Sequence, residues 1–328
     1  MMAANNLHSD LVQPRIALGP VMPGWGSWEW LGADLQEELV SWFSTVLFDL
    51  GEMPNADAVF VVKHALPTEY WQTASRAPVI YCPVDRYGSV AEIDADADWL
   101  SRCARIVVHC NRLRKYFASY GAVKFLDHHV KFAGKPQSVN IPDGPILWVG
   151  VRTNLPPFVD WVNTHDLQRP LIVLTNPENP SLPMRPADYG FNTGIDIRME
   201  VWSTERHLQL LPQVSAAIDI KGTDFRSQHK PPAKAIDFLA AGVPLAMNGD
   251  SSVADHLAEM GFTVADPEDQ GYWLSAEYWE ETRRFGAVLA ELLSRRRVAM
   301  RARRIIEDVL AEHRTFRGAV PRLERIAS

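Results

Sequence analysis

The stretch HKPPAKAIDFLAAGVPLAMN, residues 229–248, decides the fold class. Pro231 and Pro232 suit the first turn of a helix, because that turn has no use for the N–H that proline lacks. The helix is predicted to run to about Ala241 and to stop at Gly242. VPLAMN (243–248) then reads as a short strand buried on both faces. Lys234 lies in the first turn, where open backbone N–H groups and the helix dipole favour an anion. Asp237, three residues further on, is expected to share a face with it. Such a pair suits a nucleotide diphosphate, with a cation for phosphate and a carboxylate to accept hydrogen bonds from ribose hydroxyls. The same spacing also describes a weak surface ion pair on an ordinary helix.

Outward from this segment the chain alternates strand and helix. RIALGP (15–20), a glycine-rich stretch PGWGSWEWLG and the helical pattern ADLQEELVSWF open it. STVLFD (44–49), ADAVFVVKH (56–64), APVIYCPV (77–84) and ARIVVHC (104–110) are further strand candidates, and NRLRKYFASYG (111–121) is helical. Around residues 133–145 the composition turns to Gly, Pro and polar residues, which marks a linker or hinge. A second series follows: ILWVGV (146–151), FVDWVNTH, RPLIVLTN (169–176), IDIRMEVW, STERHLQLLPQV, SAAIDI, the opening segment, SSVADHLAEMG and FTVADP. Two successive α/β alternations imply two doubly wound sheets. The tail, roughly 277–313, is helical by the spacing of its apolar residues.

The chain has 328 residues, and at a rough ~150 residues per domain two domains are expected. A net charge of −7 argues against broad nucleic-acid binding. Cys82, Cys103 and Cys110 have no metal-ligand spacing and read as reduced thiols of a cytoplasmic protein. The opening MMAANNLHSD lacks the features of a secretory signal, and no run is long and apolar enough to span a membrane.

KAIDFLAAGVP resembles the donor-nucleotide motif of GT-B glycosyltransferases of the family-four type, in which the pattern is close to Lys-x-x-Glu-Tyr-x-Ala-x-Gly-x-Pro. ILWVGVR resembles that family's strand, Gly and Arg at the start of the donor domain. The glycine-rich loop after the first strand resembles its acceptor-side loop. The resemblance implies a GT-B architecture: two Rossmann-like domains facing across a cleft. An N-terminal acceptor-side domain would cover 1–135, a donor domain 140–298, and a C-terminal helix, about 300–328, would return to the first. It implies transfer of a sugar from a nucleotide-diphosphate sugar to an unidentified acceptor, retaining and independent of metal, with no further cofactor.

Residue by residue, Asp237 takes the place of the ribose-binding acid, and Lys234 and Arg152 take places near the diphosphate. His229 stands where the family often has a glutamate, and RTNLPP supplies no lysine after Arg152. Arg226 or Lys230 could substitute. Asp85 and His109, which follow strands at the edge where α/β sheets bind ligands, and His229 are the candidate catalytic residues. Gly24, Trp25, Gly26 and Ser27 are candidates for the acceptor-side loop. The alternative reading is a catalytically degenerate GT-B-like protein that binds a nucleotide or a partner; an epimerase of the same fold is a third. DADAD (94–98) is expected to favour a helix start rather than a metal, and His128-His129 to lie in a loop near the cleft. SRRRVAMRARR, with six arginines between 295 and 304, reads as a solvated helix face. Contact with the inner membrane face through this helix is the alternative.

Overall fold

A computed structural model describes residues 13–72, 76–179 and 181–324, with side chains up to 315. MMAANNLHSD lies outside the described residues. Two parallel sheets organise the chain. The first contains β1 (Arg15–Gly19), β2 (Ser44–Leu47), β3 (Ala58–Val62), β4 (Val79–Cys82), β5 (Arg105–Val108) and β6 (Val123–Phe125), in the order β2-β1-β3-β4-β5-β6. The second contains β7 (Ile146–Val149), β8 (Leu171–Thr175), β9 (Ile197–Val201), β10 (Ala216–Asp219) and β11 (Leu245–Met247), in the order β11-β10-β7-β8-β9. Helices pack on both, which makes each lobe Rossmann-like and the whole a GT-B architecture.

β3 shows why the strands read as unbroken apolar runs. Ala58, Phe60 and Val62 face one core and Val59 and Val61 face the other. Side chains alternate across a strand, so covering both faces demands an apolar residue at every position. β6 is a departure from the sequence reading: VKF (123–125) is short and half exposed at an edge, too brief for a periodic signal. FTVADP is another, since only Ala265 bridges to Ala246 and no strand forms there. The helix of the opening segment begins one residue later than its prolines suggest. Pro232 is its cap, and the helix spans Ala233–Ala240.

Each sheet has one place where the chain reverses its direction of winding: between β1 and β3, and between β7 and β10. The loops leaving the carboxyl ends of these strand pairs diverge, and each leaves a crevice.

Two crossings join the lobes side by side. The linker crosses near Val130, whose N–H donates to the Leu293 carbonyl at 2.9 Å, where the helices Ala276–Leu292 and Arg295–Glu324 meet. The last helix returns to the first lobe through Val298, Ala302, Ile306 and Val309, all buried. Its arginines are engaged: Arg295 with Glu37 (2.7 Å) and Glu38 (3.2 Å), Arg301 with Asp127, and Arg303 with Glu307 (2.8 Å). Arg296 lies over Trp42 at 4.0 Å. The basic run is thus in large part a clamp on the first lobe. Among the described residues no helix is long and apolar enough to cross a membrane.

Helix Ala276–Leu292 packs against the Ala233–Ala240 helix at Gly286, where an added Cβ would run into the Leu239 carbonyl oxygen. A main-chain atom cannot swing aside as a side chain can. Gly286→Ala gains about 1 kcal/mol of helix propensity, whereas overpacking of this kind costs about 1–3 kcal/mol. The clash should win: a lowered denaturation midpoint is expected by urea titration, and an unchanged or raised one would contradict the close packing.

Candidate functional site

The crevice between β7 and β10 is built around one carboxylate. Asp219 ends β10 and is buried. Its Oδ1 accepts from Lys234 Nζ at 2.9 Å and its Oδ2 from Lys221 Nζ at 2.6 Å. Lys234 Nζ also donates to the Val149 carbonyl at the end of β7, at 2.9 Å. The first turn of the Ala233–Ala240 helix is thereby tied across both strands of the reversal point. Burial alone would raise the Asp219 pKa, but the two ammonium groups outweigh it and hold the carboxyl well below its usual range. Burial lowers Lys234 to about 8 against the pull of Asp219. Lys230, also half-buried, donates to the neutral Asn154 Oδ1 at 2.6 Å, and its pKa is lowered by burial and by Lys221. Lys221 and Lys234 therefore share one carboxylate, while Asp85, Asp219 and Asp224 all act on Lys230 from nearby. The crevice gathers three ammonium groups, which suits a multiply charged anion.

The opposite lobe faces this site. Asp85 is one of the charges that raise the Lys230 pKa, and it pairs with Lys63 Nζ at 2.8 Å. Arg226, on the short Phe225–Gln228 helix, reaches across to donate to the Arg86 carbonyl at 3.0 Å. Asp85, Arg226, Lys230 and Lys234 are thus brought to one gap.

Other expected site residues go elsewhere. Arg152 opens the short turn that ends at Asn154; its guanidinium lies 3.2 Å from Glu178 and lines a cavity of about 510 Å³ with Leu155, Pro156, Met184 and Tyr189. Asp237 does not share its partners with Lys234. It is 2 % exposed, and its Oδ1 accepts the Lys131 backbone N–H at 2.7 Å, under the linker. Burial pushes its pKa up to about 7, against the hydrogen bonds from the linker. Placing its carboxylate at a ribose is therefore corrected: Lys234 reaches over the sheet on a long side chain, while the short Asp237 is turned beneath residues 131–132.

The two histidines are likewise bound up with main chain. His229 directs Nδ1 at the Phe225 carbonyl (2.6 Å), stacks on the Phe225 ring (4.1 Å) and meets Tyr116 of the first lobe edge-on. His109 is 2 % exposed, with Nδ1 on the Leu126 carbonyl at 2.6 Å, and burial lowers its pKa to about 4. His128 and His129 lie in the irregular segment after β6, as expected of a loop, but both are buried. His128 packs 4.6 Å from His109, and His129 Nε2 lies 2.9 Å from Asp34. Asp94, Asp96 and Asp98 bond to Tyr120, Arg86 and Arg102 around the helices Val90–Ala95 and Ala97–Leu100. No cluster of metal-ligating side chains occurs among the described residues.

In the acceptor-side loop, Gly24 has φ +79°, a left-handed conformation that glycine adopts without strain. Trp25 follows it, Ser27 lies in the Gly26–Trp28 turn of helix, and the loop sits at the β1/β3 crevice. The sequence reading passed over Asp219 and Lys221, and also Lys63 and His64. One signal was present: an acid closing the apolar run SAAI, followed two residues later by a lysine.

No protein-family model matches the chain, and no curated protein sequence does. Solved structures match over nearly their full length. AviGT4, a glycosyltransferase involved in avilamycin A biosynthesis, is 14 % identical with TM-score 0.58, covering 91 % of this chain and 98 % of that one. Sucrose-phosphate synthase from Thermosynechococcus elongatus is 11 % identical with TM-score 0.60, covering 92 % and 100 %. Anabaena HepE, solved in complex with UDP-glucose, is 9 % identical with TM-score 0.59, covering 90 % and 100 %. The likeness is one of fold, the GT-B arrangement.

Asp237→Ala would leave the Lys131 N–H buried without an acceptor, a loss of about 1–3 kcal/mol, whereas Asp237→Asn retains an acceptor and should lose less. The native carboxyl binds its proton more tightly than the unfolded one, so its contribution falls as the pH rises through about 7. The stability deficit of the Asn variant should therefore shrink from pH 6 to pH 8 in parallel urea titrations; a constant deficit would show that Asp237 does not titrate there.

Proposed function

We propose that the protein transfers a sugar from a nucleoside-diphosphate sugar to an acceptor held by the first lobe. The observation that carries this reading is the lysine cluster at the β7/β10 crevice, where Lys221 and Lys234 share Asp219 and Lys230 rests on an amide. Breaking the bond to the anomeric carbon places negative charge on the departing diphosphate. Ammonium groups already held by Asp219, Val149 and Asn154 would stabilise that charge without reorganising. The same groups could serve in place of a divalent cation, and we read the transfer as metal-independent. Retention at the anomeric carbon is proposed from the motif resemblance. The fold shared with HepE, a structure containing UDP-glucose, supports a nucleotide-sugar donor.

A second reading is a nucleotide-binding protein without turnover. It is favoured by positions 229 and 237, where the motif places acidic residues and where both side chains are engaged by main-chain groups. Product analysis with labelled UDP-, GDP- and ADP-sugars separates the two: transfer or slow hydrolysis supports the first, and binding without turnover the second.

Calorimetry with the corresponding nucleoside diphosphates tests the site itself. Lys234→Ala and Lys230→Ala should each weaken binding about tenfold to a hundredfold, the size of one charge-assisted hydrogen bond. Equal affinity in both variants would remove the crevice from the mechanism.

Lys234 loses its proton near pH 8. Wild-type affinity should therefore fall as the pH rises through that value, and Lys234→Ala should lose this dependence. A wild-type affinity that is flat from pH 7 to pH 9 would mean that the Lys234 charge does not reach the ligand.

A further inference from the structure

The β1/β3 crevice of the first lobe is constructed differently from the donor-side crevice. Trp25 stands at its mouth, 48 % exposed. Its ring meets the His64 ring edge-on at 6.1 Å, and Lys63 Nζ lies 5.3 Å from its centroid. Lys63 in turn holds Asp85 at 2.8 Å, and Arg86 Nη1 donates to the Lys63 carbonyl at 3.2 Å. His64 Nε2 is buried and has no hydrogen-bond partner among the described residues. Burial and the neighbouring Arg86 and Lys63 lower the His64 pKa, so the ring is neutral and can accept or donate a hydrogen bond.

Two residues here are in left-handed backbone conformations that their side chains disfavour: Lys63 at φ +66° and Val84 at φ +55°. For β-branched Val84 this is an outlier. Each immediately precedes a polar residue of the crevice, His64 and Asp85. Strain of this kind gathers where side-chain direction matters to a ligand.

Charge separates this crevice from the donor side. Lys63 is matched by Asp85, and Arg86 by Asp96 at 2.9 Å. At the donor crevice Lys221 and Lys234 share one buried aspartate, and Lys230 rests on the neutral amide of Asn154. A balanced site does not select a phosphorylated acceptor. An alkyl chain would need a contiguous apolar surface, and Trp25 is bordered instead by His64 and by Lys63, which holds Asp85. What remains is a ligand with an apolar ring face and hydroxyls around its edge.

We propose that the acceptor is a neutral saccharide, its C–H face laid on the Trp25 indole and its hydroxyls bonded by Asp85 and His64. The indole presents a broad apolar face with a negative quadrupole, which attracts the slightly positive hydrogens on one side of a pyranose ring. Asp85 accepts a hydroxyl hydrogen while Lys63 holds its Oδ1. His64 Nε2 gains the partner that the protein does not supply. The inference rests on the transferase reading for the word acceptor, but saccharide binding at Trp25 can be measured without transfer.

The test uses the full chain with UDP, GDP and ADP present in turn. Methyl glycosides of gluco, galacto and manno configuration are probed by saturation-transfer NMR. Decanol and glycerol 3-phosphate serve as the apolar and anionic comparisons. The expected result is binding of at least one glycoside with transfer concentrated on one ring face. Affinity should fall about tenfold in Trp25→Ala, the size of a lost aromatic contact. Trp25→Phe should retain most of it, and nucleotide affinity should stay unchanged in both variants. Glycoside binding equal in wild type and Trp25→Ala would overturn the proposal, as would no glycoside binding while a nucleotide binds, or binding of decanol or glycerol 3-phosphate alone. Failure of every nucleotide to bind would overturn the transferase reading instead, and the glycoside result would still decide the saccharide site.

Discussion

The second lobe is organised by the sharing of Asp219 between Lys221 and Lys234. A carboxylate at the buried end of a strand is untenable alone, and removing one partner from such a buried pair typically costs about 3–5 kcal/mol. Here the partners arrive from the loop after β10 and from the first turn of the Ala233–Ala240 helix. Lys234 adds a bond to the end of β7, so the helix start is fixed relative to both strands at the reversal point. The contact that settles local structure also gathers ammonium groups at the gap.

The lobes are held by a different kind of contact. The linker is tied at Val130 to the junction of the last two helices, at Lys131 to Asp237, and at Gln137 to the Ala241 carbonyl. Lys131 Nζ reaches Asp34 at 2.6 Å, which in turn receives His129. These bonds satisfy linker main chain that would otherwise be buried without partners. They connect the donor-side helix to the first lobe through Asp237, so a change in the linker is felt one turn from Lys234. The close contact at Gly286 presses the last long helix of the second lobe onto the same donor-side helix.

The two crevices show how one fold presents unlike chemistry at two places. Both lie at reversal points of parallel sheets, where diverging loops leave space. The donor-side crevice is rich in lysine, while the first-lobe crevice pairs each cation with an acid around an exposed indole. Asp85 belongs to both accounts, since it stands beside Trp25 and acts electrostatically on Lys230.

Most of the architecture was legible in the residues. Runs such as AVFVV and VIYC are apolar at every position because both sheet faces are covered, and such runs can be recognised without coordinates. The helix from Ala233 to Ala240 followed from its prolines and from Gly242, and Lys234 from its place in the first turn. The edge strand at 123–125 escaped, because three half-exposed residues carry no period. The site was legible only in part. Local spacing places Lys234 and Asp237 on neighbouring columns of one helix, but it says nothing of what each column meets. Only the tertiary fold brought Asp219 to the first and the linker N–H of Lys131 to the second, and it withdrew His109 and His229 to main-chain carbonyls. Periodicity and turn residues are local properties that a sequence states directly. The partner of a charged side chain is set by chain segments tens of residues away, and the packing of sheets and linker decides it.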